Sequence, residues 1–290
     1  MTEFSNWNLY EGASEGSGRS EKVWLQNPIT GDIGLFKFKK DVTTTDHVSE
    51  CIACQIAEVL SIPCAKYELG TYNGMEGSMS YNIVQNEGAT LIEGVVFISA
   101  TYPEYNPENF VDLNSKKRYS LEMLADLLRE RNVLDAFITM VVFDFLIGNT
   151  DRHHSNWALI SENGMTKFSP LYDNSSSLCA YTSNERLEQY LGKDTTLWNS
   201  LVDTKSKSRI RIGGFDKKEP QHTEVMRYVY DRYYKEAINI VDEIVVKMTS
   251  EQICVILGRY NQNCLSEVKK QLIRKFLEDK IRILREIFRV

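Results

Sequence analysis

Gly148-Asn-Thr-Asp-Arg-His-His-Ser-Asn156 is the densest polar cluster in the chain, and it directly follows the most apolar stretch, Val133 to Ile147. A solvated loop with a helix stop at Gly148 and Asn149 explains the glycine. It does not explain so many titratable groups in one place. A second acidic loop follows, Phe168-Ser-Pro-Leu-Tyr-Asp-Asn-Ser-Ser-Ser177, in which Asp173 comes after a short apolar strand. A hairpin between these loops would bring Asp151, Asn156 and Asp173 close together.

An Asp able to accept a hydroxyl proton, with an Asn and an Asp offering oxygen ligands to Mg²⁺, is what phosphoryl transfer requires. The Asp151–Asn156 spacing of five is also that of the protein-kinase catalytic loop. Alone it is a weak signal. A strand, a turn, a second strand and a second Asp after it strengthen it.

The N-terminal part supplies complementary groups. Gly12, Gly16 and Gly18 lie before a strand, where backbone N–H groups can approach phosphate oxygens. No Gly-Lys-Ser/Thr opens a helix, so this is not a Walker A loop. Lys22 to Gln26 and Ile33 to Lys39 read as a hairpin around Asn27-Pro-Ile-Thr-Gly-Asp32. Asp46 can cap a helix to about Ser61, with Ile52, Ile56, Val59 and Leu60 on one face. Pro63 ends it. Lys37 falls in the second strand and Glu50 in the first turn of this helix, the pairing that positions the α/β-phosphates in kinases. Lys39 and Lys40 compete for the same role. Ala65 to Val84 reads as two more strands around Tyr72-Asn-Gly74.

The rest is mostly helical. Thr101 to Lys117 is a polar loop, and two helices lead from Tyr119 to Ile147, the second apolar nearly all round and therefore central. A strand-like patch lies between Trp157 and Leu171. Helices return near Thr223–Tyr234, Ala237–Met248, Ser250–Gln262 and Leu265–Phe288. The expected fold is α+β and two-lobed. Residues 1–86 form a small sheet-plus-helix lobe, and residues 87–290 a larger helical lobe carrying the polar loops.

The 290 residues suffice for a real core without staples. With 34 Lys plus Arg against 40 Asp plus Glu, the net charge is −6, which argues against direct nucleic-acid coating. The N-terminus shows no secretory signal, and Val133 to Ile147 is too short and too charged to span a bilayer. A cytoplasmic location is expected, or export by an unconventional route. Cys51-Ile-Ala-Cys54 lacks a second half at zinc spacing, so small buried thiols are the better reading. Of His153 and His154, one is expected to pack and fix the loop, the other to be exposed. Lys205-Ser-Lys-Ser-Arg-Ile-Arg211 is either a solvated loop or a mobile segment engaging an acidic or phosphorylated peptide.

The sequence resembles the HipA-like serine/threonine protein kinases, and within them the compact CtkA-like members. The resemblance rests on Gly18-Arg-Ser-Glu-Lys22, Leu35-Phe-Lys-Phe38, Glu50 followed by Ile52-Ala53, Leu146 to Asn156, and Pro170 to Ser177, in the family's order. It implies an ATP- and Mg²⁺-dependent kinase that transfers the γ-phosphate to Ser or Thr and phosphorylates itself. Lys37 would hold the α/β-phosphates and pair with Glu50. Asp151 would be the base or orienter of the acceptor hydroxyl, and Asn156 and Asp173 would hold Mg²⁺. Gly12, Gly16, Ser17 and Gly18 would fold over the triphosphate, Tyr81, Ile83 and Val84 would meet the adenine edge, and His153 would line the nucleotide site. The expected partner is a protein substrate bearing Ser or Thr. Two other readings stand beside it: a kinase-fold binding protein with little turnover that partners an antitoxin, and a lipid or small-molecule kinase.

Overall fold

A computed structural model describes residues 1–12, 21–84, 86 and 88–290. The N-terminal strands are β1 (Thr2–Glu3), β2 (Asn8–Leu9), β3 (Lys22–Gln26) and β4 (Ile33–Phe38). Helix α1 (Asp46–Val59) follows, then β5 (Tyr67–Tyr72) and β6 (Met75–Tyr81). They form one six-stranded sheet in the order β1-β5-β6-β4-β3-β2. The β3–β4 turn is closed by Asn27, whose Oδ1 accepts the Ile29 amide at 2.9 Å, and Gly31 takes a left-handed φ of 78°. In the β5–β6 turn Asn73 and Gly74 have φ of 51° and 76°, the backbone that matches a two-residue turn to strand twist.

Strand alternation gives the sheet two different faces. Phe36 and Met79 point outward and pack with Phe4, Trp7 and Leu25 in a separate aromatic-rich cluster. Lys37 and its cross-strand partner Ser78 point inward, toward α1. Ile52, Ile56 and Leu60 of α1 are buried, as their spacing predicts.

Beyond the sheet lie β7 (Thr90–Glu93), α2 (Gly94–Thr101), β8 (Tyr105–Asn106), β9 (Val111–Asp112), α3 (Leu121–Arg129) and α4 (Leu134–Ile147). Strands β10 (Ala158–Glu162) and β11 (Met165–Phe168) come next, then α5 (Asn184–Leu191) and α6 (Thr195–Asn199). A π-helical turn at Ser200–Thr204 precedes α7 (His222–Arg232), α8 (Tyr234–Lys247), α9 (Ser250–Gly258) and α10 (Glu267–Phe288). Helix α4 is central: Phe137, Met140, Phe143, Phe145 and Ile147 are fully buried, and α3, α7, α8 and α10 pack around it. Gly148 stops it in the left-handed region at φ 65°.

The expected elements are present with ends shifted by a few residues. The second strand stops at Phe38, and the first helix at Val59, where Ser61 turns left-handed at φ 56°. The loop expected over Thr101–Lys117 contains the β8–β9 pair. Helices α2, α5 and α6 and strands β1, β2 and β7 were not legible. Most are short, and β7 exists because it pairs with β10, far away in sequence.

Candidate active site

The inward face of β4 and the first turn of α1 place Lys37 and Glu50 together. Lys37 Nζ lies 3.4 Å from Glu50 Oε1 and 3.0 Å from Asp173 Oδ1. The neighbouring lysines have other partners: Lys39 pairs with Glu76 at 3.2 Å, and Lys40 sits over the Tyr181 ring. Geometry thus separates Lys37 from its two competitors.

Asp173 has a left-handed φ of 55°, uncommon for a residue with a side chain. Its amide donates to the Tyr67 hydroxyl at 3.0 Å, and the next amide, Asn174, donates to Glu50 Oε2 at 2.7 Å. The loop after β11 is therefore tied to α1. Leu171 N to Pro63 O and Ala65 N to Leu171 O, both 2.8 Å, add backbone ties between the two halves.

Burial disfavours the Lys37 ammonium, but attraction to Asp173 and Glu50 outweighs it and holds its pKa above the ordinary lysine value. Burial pushes the Glu50 carboxyl up, against the pull of Lys37. Burial also acts upward on Asp173, where Lys37 overcomes it and holds the carboxylate below its usual range. The result is a fixed cation between two acidic groups, one of which, Asp173, is kept ionised.

Asp151 and Asn156 are held by one tight loop. Asn156 Nδ2 donates to the Asp151 carbonyl at 2.8 Å, and the Asp151 amide donates to Asn149 Oδ1 at 3.0 Å. Among the described residues no hydrogen bond reaches Asn156 Oδ1. The Asp151 carboxylate meets Arg209, whose Nε is 3.3 Å from Oδ1.

His154 is the packed histidine. Its Nδ1 is 3.0 Å from the Tyr105 hydroxyl, and its ring lies among Tyr105, Phe110 and Tyr119. Burial lowers its pKa to about 4. His153 is half-buried and accepts the Ser155 amide on Nδ1 at 3.2 Å.

The hinge positions differ in what they can offer. Tyr81 lies on the outward face of β6, with its ring against Trp7 and its hydroxyl donating to Glu68 at 2.7 Å. The Tyr81 and Asn82 amides are taken by Lys66 O and Ile33 O. An adenine contact at Tyr81 is thus confined to its carbonyl. Ile83 packs on the main core, and the Val84 amide donates to Asn82 Oδ1. Of the glycine-rich segment, Gly12 is described; Gly16, Ser17 and Gly18 lie outside the described residues.

Composition and spacing missed the buried centre of the site, Arg152. Its Nε and one amino group grip Asp144 of α4 at 2.9 and 2.8 Å. The same amino group donates to Asn174 Oδ1, and the other to the carbonyls of Asn156 and Tyr172, all at 2.6 Å. One guanidinium joins the central helix, the Asp151–Asn156 loop and the Asp173 loop, and Asn174 extends the chain to Glu50. The available signal was an Asp inside an otherwise apolar helix, which demands a buried partner.

A model of the HipA-like C-terminal domain matches residues 102–252, just over half of the chain. This protein belongs to the HipA-like family. Among solved structures, the Helicobacter pylori proinflammatory kinase CtkA superposes with a TM-score of 0.81 at 17% identity, covering 99% of this chain and 98% of CtkA. Shewanella oneidensis HipA, solved with HipB and operator DNA, gives 0.62 at 13% identity, covering 97% of this chain and 68% of HipA. At such identities the likeness is one of fold: this HipA-like chain has the two-lobed α+β architecture of those structures. No curated protein matches the sequence. Among the described residues, no helix is long and apolar enough to cross a membrane.

The basic run of this HipA-like chain is neither freely solvated nor loose. His222 N donates to Ser206 O at 2.8 Å, Ser208 N to Pro220 O at 3.0 Å and Leu121 N to Arg211 O at 2.9 Å. Ser206, Ser208, Ile210 and Arg211 are buried.

Proposed function

We propose that this protein is an ATP- and Mg²⁺-dependent protein kinase that phosphorylates Ser or Thr, including its own. The observation that carries the reading is Lys37 held between Glu50 and Asp173. A lysine fixed by a helix glutamate and a loop aspartate is an α/β-phosphate clamp beside a metal ligand. The division into lobes near residue 86 belongs to the same reading. It is supported by β6 ending the first sheet and β7 pairing with β10.

The donors fit Mg²⁺. Asp173 brings an anionic oxygen, and Asn156 an amide oxygen whose N–H₂ is already engaged. Among the described residues no three or more His, Cys, Asp or Glu are placed to hold a metal ion together, and Mg²⁺ needs no such group, since it takes one or two protein oxygens plus phosphate and water. When bound, the metal neutralises charge on the phosphate oxygens.

The chain's own residues do the rest. Lys37 orients the α/β-phosphates, and the Ile83 backbone and the Tyr81 and Val84 carbonyls offer an edge to the adenine. His153 and Gly12, with Gly16, Ser17 and Gly18, complete the nucleotide site. Asp151 orients the acceptor hydroxyl and takes its proton as the acceptor O–P bond forms and the bond from the γ-phosphorus to the bridging oxygen breaks. Positioning and charge neutralisation suffice for this reaction.

The test is incubation with Mg²⁺ and γ-labelled ATP, with a generic basic protein and a lipid extract as alternative acceptors. Wild type should label itself and the protein. Asp151→Ala or Asp173→Ala should lower turnover by about 10²–10⁴-fold. Full activity in either variant would remove the role assigned to that residue, and label only in lipid would reassign the acceptor class.

A further inference from the structure

The basic run remains without a role in this scheme, and its geometry supplies one. Backbone ties fix it against the helical lobe, and its side chains alternate. Ser206 and Ser208 point in, whereas Lys205 and Lys207 are exposed and Arg209 reaches out to Asp151. The Arg209 guanidinium is shared, with one amino group 2.7 Å from Glu219 Oε1 and Nε 3.3 Å from Asp151 Oδ1.

A cleft of about 200 Å³ runs beside the run, lined by Thr150, Ser176, Tyr181 and Lys205 over an apolar floor that includes Leu201 and Phe276. Tyr181 also lines the pocket around Lys37 and Asp173, so cleft and pocket meet at that ring. Thr150 immediately precedes Asp151. An extended acceptor lying in this cleft would bring its hydroxyl to Asp151 and its neighbouring residues past Lys205, Lys207 and Arg209.

We propose that residues 205–209 select acceptors whose Ser or Thr is flanked by an anionic side chain, with Arg209 passing from Asp151 to that anion. The inference rests on the kinase reading above. Charge complementarity carries it: an acidic chain of net charge −6 places Lys205 on the cleft wall and Arg209 on Asp151, with the exposed Lys207 between them in the run. Asp203, Asp216 and Glu219 are the nearest opposing carboxylates in the sequence, and Glu219 is already engaged by Arg209. In the resting arrangement Arg209 occupies the Asp151 oxygen that an acceptor hydroxyl needs. A carboxylate or phosphate on the acceptor offers the guanidinium fork a matching bidentate partner and frees that oxygen. A neutral acceptor must compete with the guanidinium instead. Arg209 is in this sense a positioning residue.

The experiment uses the full chain, Mg²⁺, ATP and four serine peptides identical except for flanking Glu, phosphoserine, Ala or Lys. The kcat/KM for the Glu or phosphoserine peptide should exceed that for Ala by about three- to tenfold per engaged cation, and Lys should be the poorest. The order of Glu and phosphoserine identifies carboxylate or phosphate as the preferred anion. Lys205→Glu/Lys207→Glu should reverse the preference toward the Lys peptide, a gain that misfolding cannot imitate. Equal kcat/KM for all four peptides, retention of the Glu preference by the double variant, or self-labelling with no label on either anionic peptide would overturn the proposal. Absence of self-labelling and of all ATP turnover would instead count against the kinase reading.

Discussion

Arg152 shows how much one side chain can decide. It is fully buried, and attraction to buried Asp144 holds its charge in place despite the cost of desolvation. Removing one partner strands the other. Arg152→Met should destabilise the fold by about 3–5 kcal/mol, read from the urea midpoint. Arg152→Met/Asp144→Leu should regain most of that loss, because both charges are then gone. A double variant as unstable as the single would show that the carbonyl and Asn174 contacts, rather than the ion pair, hold the loops. Lys37 makes a related point about activity. Glu50→Gln should raise the KM for ATP more than it lowers kcat, since Glu50 orients a phosphate-binding cation and touches no reacting atom. Steady-state kinetics at saturating acceptor would read it.

Helices α1 and α4 both anchor the site, α1 through Glu50 and α4 through Asp144, and both are legible because their apolar pattern is strong. α1 has one apolar face and brings Glu50 in its first turn. α4 is apolar all round, so it is interior, and its end must be where polar loops begin. Gly148 makes that end. Its φ of 65° suits glycine, and a Cβ there would come within 2.6 Å of the Phe276 ring. Gly148→Ala should cost about 1–3 kcal/mol in stability and displace the Asp151 loop, seen as a lower thermal midpoint together with reduced turnover. A variant with unchanged midpoint would mean that the left-handed turn and the Phe276 contact relax freely. The short elements β7, α2 and α6 carry no sustained period, and α5 has an apolar face only eight residues long. Distant strands and packing decide them.

Across the whole molecule, the four histidines share one response to pH. Burial is the leading cause in each: His47 and His153 are lowered, His154 to about 4, and His222 well below its ordinary value. A histidine whose folded pKa is depressed contributes stability above its unfolded pKa of about 6.5, and that stability is lost as pH falls toward the folded value. The unfolded chain binds more protons in this window, so stability rises with pH. His154 alone should account for about 1–2 kcal/mol between pH 7 and 5, allowing for partial screening by solvent. Urea midpoints across that range check the slope, and an imidazole titration of His154 near neutrality would contradict it.

The two-lobed α+β architecture, the central helix and the loops that carry Asp151, Asn156 and Asp173 follow from the order of the residues alone. Local periodicity, turn residues and a dense run of titratable groups are written in consecutive positions. That Lys37 rather than Lys39 or Lys40 meets Glu50 is a matter of tertiary structure, because strand register selects the inward face. It alone placed Arg152 at the centre of the loops and Arg209 against Asp151. Those pairings join residues on different elements, and a charge in sequence does not state its partner. Burial, which makes an unpaired charge too costly to keep, is what selects one.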